Sequence, residues 1–166
     1  MSDKKIIIGF VVLTLLILGG GVYVLSAIST SPTQVTSSQN AKVSLDEKTY
    51  DWGEIPYSGP DATKTFIIKN TGTDVLKLTN VKTSCACTNA RVTIDGEVSP
   101  SFDMHTTSSW VGEVPPGKEA QLTVIFDQDF HGPTGVGAVE RLISIETNDA
   151  ANPKLEFLLK GTVVKQ

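Results

Sequence analysis

The chain is poor in the residues that usually staple or arm a small domain. It has two cysteines, one residue apart, in Cys85-Ala86-Cys87. That spacing excludes a disulfide framework joining distant segments, and leaves a tight local disulfide, a redox pair or two soft metal ligands. Histidine is equally scarce, with only His105 and His131, and beyond Met1 there is one methionine, Met104. Basic clusters are absent and the formal charge is −4, which argues against nucleic acid or anionic lipid as a partner. No Gly-rich loop opens a helix and no serine sits in a nucleophile elbow. A Cys–His nucleophilic pair lacks a recognisable third member, so the chain is read as a non-enzyme.

Charge is missing altogether from Ile6 to Ala41. The first 20 residues of that stretch, Ile6 to Leu25, are predominantly apolar, about the length that crosses a hydrocarbon core of ~30 Å as a helix. Lys4 and Lys5 precede the run and no basic residue comes after it until Lys42. The positive-inside rule then keeps residues 1–5 in the cytoplasm and sends the rest of the chain outward. The rival reading is a signal peptide cleaved near Ala27-Ile28-Ser29, with secretion of the remaining chain; secretory apolar regions are shorter, ~7–15 residues, and an uncleaved anchor is the reading preferred. Residues 26–41, including the Ser/Thr/Gln/Asn-rich STSPTQVTSSQNA, read as a flexible polar linker that cannot offset its ordering entropy by burial.

Residues 42–166 have the size of one domain and read as all-β. Ala62 to Lys69 predicts a strand with Phe66 and Ile68 on one face, and Asn70 to Asp74 a turn. Val75 to Val81 returns with Leu76 and Leu78 inward. Ala90, Val92 and Ile94 alternate before Asp95-Gly96, and Ala120, Leu122, Val124 and Phe126 alternate after the Pro115-Pro116-Gly117 turn. Val43–Tyr50, Trp110–Val114, Val139–Thr147 and Lys154–Val164 complete a set of seven to eight strands. No segment after residue 41 sustains a helical period. The expectation is an immunoglobulin-like β-sandwich preceded by one N-terminal transmembrane helix.

Asn70-Thr71-Gly72, Ser84-Cys85-Ala86-Cys87-Thr88, Pro116-Gly117-Lys118 before Leu122-Thr-Val-Ile-Phe-Asp127, and Thr147-Asn148-Asp149 together resemble the bacterial domain-of-unknown-function family 1573. That family is related to MSP-like and ASH-type immunoglobulin-like domains. The resemblance runs from about Val43 to Val164. It implies an exported sandwich and no established activity, and fold analogy supplies none.

A site must therefore be argued from chemistry. Cys85, Cys87, Met104, His105 and His131 all fall in segments outside the core strands. Together they form a candidate soft-metal set for copper or zinc. Leu76, Leu78, Ala90, Val92 and Ile94 share even parity, so the odd-numbered cysteines are expected to face away from the core at a strand end. Two residues apart in a strand, their Cα atoms would lie ~6.6 Å apart, and a disulfide would need a bent backbone. The chain is thus expected to be a membrane-anchored, extracytoplasmic binding or scaffold module with protein partners at the cell envelope. Soft-metal binding and thiol–disulfide chemistry at the pair are the alternatives. Trp52, Tyr57 and Trp110 are expected as core or end-cap aromatics. The acidic residues Asp103, Asp127 and Asp129 match no calcium-loop spacing.

Overall fold

The computed structural model describes residues 3–27 and 35–165; within the first helix, side chains are described at Lys4 and from Ile7 to Gly21. Two units result, divided after Ser31. The first is helix α1, Asp3–Ala27. Its described apolar side chains are all exposed, Phe10 by 71% and Leu16 by 68%. Among the described residues no helix is long and apolar enough to cross a membrane. The side chains at both ends of the expected span 6–25 lie outside the described residues, as do residues 28–34 of the expected linker.

The second unit is a two-layer β-sandwich. Its described residues form β1 Val43–Leu45, β2 Thr49–Pro56, β3 Ala62–Asn70, β4 Leu76–Thr83, β5 Thr88–Ile94, β6 Glu97–Val98, β7 Gly112–Val114, β8 Glu119–Phe126, β9 Gly137–Thr147 and β10 Lys154–Val164. One sheet has the order β1-β3-β8-β5-β6 and the other β2-β10-β9-β4-β7. Pairing is antiparallel except where β2 joins β10 in parallel. The expected opening strand, Val43 to Tyr50, is two strands in two sheets: β1 pairs with β3, then the chain crosses and β2 pairs with β10.

Period-two alternation places the core. Phe66, Ile68, Leu76, Leu78, Ala90, Val92, Leu122, Val124, Ile143, Ile145, Phe157 and Leu159 are fully buried between the sheets. The Phe66 and Phe157 rings lie 4.9 Å apart and join the two layers. Each such large side chain contributes about 1.5–3 kcal/mol on burial. The outer faces carry surface ion pairs such as Lys69–Asp46 and Lys160–Glu140, whose contribution is small.

The domain begins earlier than residue 42. Ser38 donates its N–H to Asn148 O and accepts that of Ala150, Asn40 O accepts from Thr73, and Ala41 is fully buried. The end of the expected linker is therefore docked on the sandwich. Gly72 permits this, because a Cβ there would run into the backbone of Asn40 and Lys42.

Candidate functional site at the cysteine end

The sandwich has two ends. One gathers the β3–β4 turn and the segment after β9; the other gathers the β4–β5 turn and the loop between β8 and β9. Cys85 and Cys87 lie at the second. Ser84 to Cys87 form the expected break between β4 and β5. Thr88 N–H donates to Cys85 O at 3.1 Å, which closes a turn. The Thr83 hydroxyl lies 2.9 Å from the carbonyl oxygens of both Cys85 and Thr88 and donates to one or the other. Ser84 exchanges two hydrogen bonds with Leu142 of β9, and Asp127 N–H donates to Cys87 O. The turn is thus tied to both sheets.

The two cysteines are joined as a disulfide. Their Cα atoms are 5.2 Å apart, closer than a strand would hold them, so the bent backbone required for bonding is supplied by the turn. Their direction corrects the parity argument. Cys87 is fully buried against Ile55, Phe126 and Val163, and Cys85 is half-buried. The cause lies upstream in β4. Asn80 adopts φ +49° and the pairing with β9 shifts register between Thr79 and Lys82. The extra residue flips the inward set from Leu76 and Leu78 to Val81 and Thr83, so odd residues face the core over the last part of β4 that leads into the cysteine turn. Asparagine tolerates this backbone region better than most residues, and the Asn80 side chain donates to Glu146 at 2.7 Å.

Only one histidine comes to the pair. His131 Nε2 lies 3.8 Å from Cys85 Sγ. The ligating atoms of Cys85, Cys87 and His131 all fall within 4.8 Å of one another. His131 is exposed and stands in a shaped loop: Gly132 N–H donates to Asp129 O, the Thr134 hydroxyl donates to His131 O, and the Phe130 ring meets the imidazole edge-on at 5.1 Å. His105 does not join the group among the described residues, and Met104 directly precedes it in the chain. They occupy a separate turn organised by Asp103, which accepts from His105 N–H, Thr106 N–H and the Thr106 hydroxyl. The hydroxyl of Thr106 first, and the N–H of His105 next, hold the Asp103 carboxyl below the usual carboxylate range. Of the five-residue ligand set read from the sequence, Cys85, Cys87 and His131 are brought together.

Two residues around the pair, Gln128 and Arg141, had no place in the sequence reading. Gln128 is buried and pins the 59–62 loop by donating to Gly59 O and Pro60 O and accepting from Ala62 N–H. Arg141 shares inward parity with Val139, Ile143 and Ile145 on β9, and its guanidinium lies 4.7 Å from the centre of the Phe126 ring. Burial pushes that guanidinium below its usual range. Trp52 stacks on the same Phe126 ring at 5.7 Å. Trp52 Nε1 and Arg141 Nε are buried without a hydrogen-bond partner. A cation at an inward position of an otherwise alternating strand was the available signal for Arg141.

None of the curated proteins matches this chain. Among solved structures, a protein of unknown function from Porphyromonas gingivalis W83 is 23% identical, with a TM-score of 0.57, over 77% of this chain and 49% of that one. This chain thus spans about half of that protein's length, and the likeness shows the fold alone. An ASH/PapD-like domain of human CEP192 (18% identity, TM-score 0.48) overlaps over 84% of this chain and 96% of that one. An MSP family member of C. elegans, WR4 (16%, TM-score 0.37), overlaps over 76% and 100%. The resemblance read from the sequence holds: residues 43–100, β1 through β6 with the cysteine turn inside them, match the family model for protein of unknown function DUF1573.

Proposed function

We propose that this chain is a membrane-tethered, extracytoplasmic binding module, an immunoglobulin-like sandwich held at the cell envelope by its N-terminal helix. The observation that carries this reading is helix α1, which exposes apolar side chains from Ile7 through Leu18. A helix that is apolar on all sides calls for an apolar surrounding, and a lipid bilayer is the one its flanking Lys4 and Lys5 fit. The sandwich itself has a closed core. Its sheets end in edge strands β1, β2, β6 and β7, whose free backbone groups suit pairing with a protein partner's strand.

Fractionation of a bacterial host tests the reading. The full-length chain is expected to stay with membranes through alkaline extraction. A cysteine label placed in the sandwich is expected to react with an impermeant reagent from outside the inner membrane. Release by alkali, or labelling only after lysis, would overturn it, and a mature chain starting near Ser29 would replace the tether with secretion. A second reading, thiol or metal chemistry, is favoured by the position of His131 beside the cysteine pair.

A further inference from the structure

We propose that reduction of the Cys85–Cys87 disulfide opens a three-ligand Cu(I) site made of Cys85 Sγ, Cys87 Sγ and His131 Nε2. This goes beyond the tethered-module reading and does not depend on it. The imidazole already stands at co-ligand distance from one sulfur, and the two sulfurs, bonded to each other in the disulfide, separate on reduction to take their places. His131 Nε2 and Cys85 Sγ are 3.8 Å apart. Two ligands of one ion, with bonds of about 2.0 Å to nitrogen and 2.3 Å to sulfur, lie roughly 3.5–3.8 Å apart. His131 already stands at the distance of a co-ligand, and all three ligating atoms lie within 4.8 Å.

The ligand types select the metal. Two thiolates and an imidazole form a soft set suited to Cu(I). No further histidine, cysteine or carboxylate joins the group among the described residues. The set therefore stops at three, one short of the four protein ligands that a structural zinc site takes.

The disulfide is the gate, because sulfurs bonded to each other offer no thiolate. An external dithiol opens it. One thiolate of the dithiol attacks Cys85 Sγ, the half-buried sulfur, since Cys87 is fully buried. The Cys85–Cys87 bond breaks and Cys87 leaves as a thiolate. The second thiolate of the dithiol then displaces Cys85 from the mixed disulfide. Two electrons have passed to the pair, the dithiol has become a disulfide, and its two protons go to the cysteines or to solvent. The site is prepared to receive both thiolates. Cys85 Sγ accepts the N–H of Cys87 at 3.2 Å, and Cys87 Sγ lies 3.7 Å from the Thr88 hydroxyl. Cu(I) binding releases whatever thiol protons remain.

The full-length chain in mild detergent, handled without oxygen, is titrated with Cu(I) against a colorimetric chelator. One Cu(I) per chain is expected after reduction and none in the oxidised protein. X-ray absorption is expected to report two sulfurs and one nitrogen. His131→Ala should weaken the affinity by on the order of tenfold or more, whereas His105→Ala should leave it unchanged. Cys85→Ser should abolish binding. His131 is exposed, so if Cys85→Ser disturbs the turn, His131→Ala still decides. The proposal is overturned if the reduced chain takes up no Cu(I), if His131→Ala binds as tightly as the parent, or if Zn(II) is held in preference to Cu(I).

Discussion

The two ends of the sandwich differ in how fully their buried polar groups are paired and in what they leave exposed. At the end opposite the cysteines, buried polar groups are paired. Asn70 donates to Asp74 O and Val114 O and accepts from Gly72 N–H. Asn148 accepts from Lys77 N–H and donates to Val75 O. Asp149 accepts from Val43 N–H, Ala151 N–H and the Asn152 amide. These bonds hold the docked segment 38–43 and the loops in place. At the cysteine end, buried N–H groups of Trp52 and Arg141 lack partners, one sulfur is half-buried and the imidazole beside it is exposed. The family-like residues at the first end serve the fold. The second end carries the disulfide and an exposed imidazole, and there Thr83 and Gln128 are hydrogen-bonded while Trp52 Nε1 and Arg141 Nε are not.

The largest effect is expected at the paired end. Asp149→Ala leaves three donors without an acceptor at a position 1% exposed, a cost of about 2–4 kcal/mol in urea denaturation. A loss under about 0.5 kcal/mol would dissolve the contrast between the ends. The same residue predicts a pH dependence. Burial works to raise its pKa, but the bonds from Val43, Asn152 and Ala151 and the charge of Lys42 outweigh it and hold the carboxyl below the usual range. A depressed folded pKa contributes stability that is complete above the unfolded value near ~3.9 and is lost as pH falls through the folded value. The parent should therefore lose stability below about pH 4 more steeply than Asp149→Asn; identical acid profiles would remove Asp149 from the account.

Gly72→Ala comes next. Its Cβ meets the backbone of Asn40 and Lys42, so overpacking should cost about 1–3 kcal/mol and expose the 38–42 segment to protease. Unchanged protection would mean that this segment is not held as described. At the cysteine end, the disulfide closes a loop of only three residues, and the chain-entropy account gives roughly 1–2 kcal/mol for its reduction. Global unfolding on reduction would show instead that the pair is a structural staple. The smallest effect belongs to His131→Ala, expected within ~0.5 kcal/mol of the parent by thermal denaturation because the side chain is exposed. A larger loss would assign His131 to the fold rather than to the site.

Most of the sandwich was legible in the alternation of apolar residues. β3, β5, β8, β9 and β10 follow their predicted ranges within two residues, because burial of one sheet face writes a period of two directly into a strand. Val43–Tyr50 misled because the chain changes sheets inside it, and no local pattern marks a crossover. The cysteine direction misled for a sharper reason. Parity was carried from Leu76 and Leu78 toward Cys85, and the register shift at Asn80 reversed it. A bulge is a backbone event set by pairing with β9, and Asn80 alone does not announce it.

The candidate site was half legible. Composition singled out Cys85, Cys87 and the two histidines by scarcity alone, and spacing restricted the cysteines to local bonding or shared ligation. It could not choose between His105 and His131, since both are loop histidines far from the pair in sequence. By itself, the sequence determined the all-β class, the apolar N-terminal run and the chemistry available, because these depend on residue type and on period along one strand. Only the tertiary structure decided that His131 meets Cys85 while His105 turns about Asp103, and that Cys87 points inward. Those outcomes depend on how neighbouring strands register against each other and on where the loops then meet, and register is a property of strand pairs that no single strand contains.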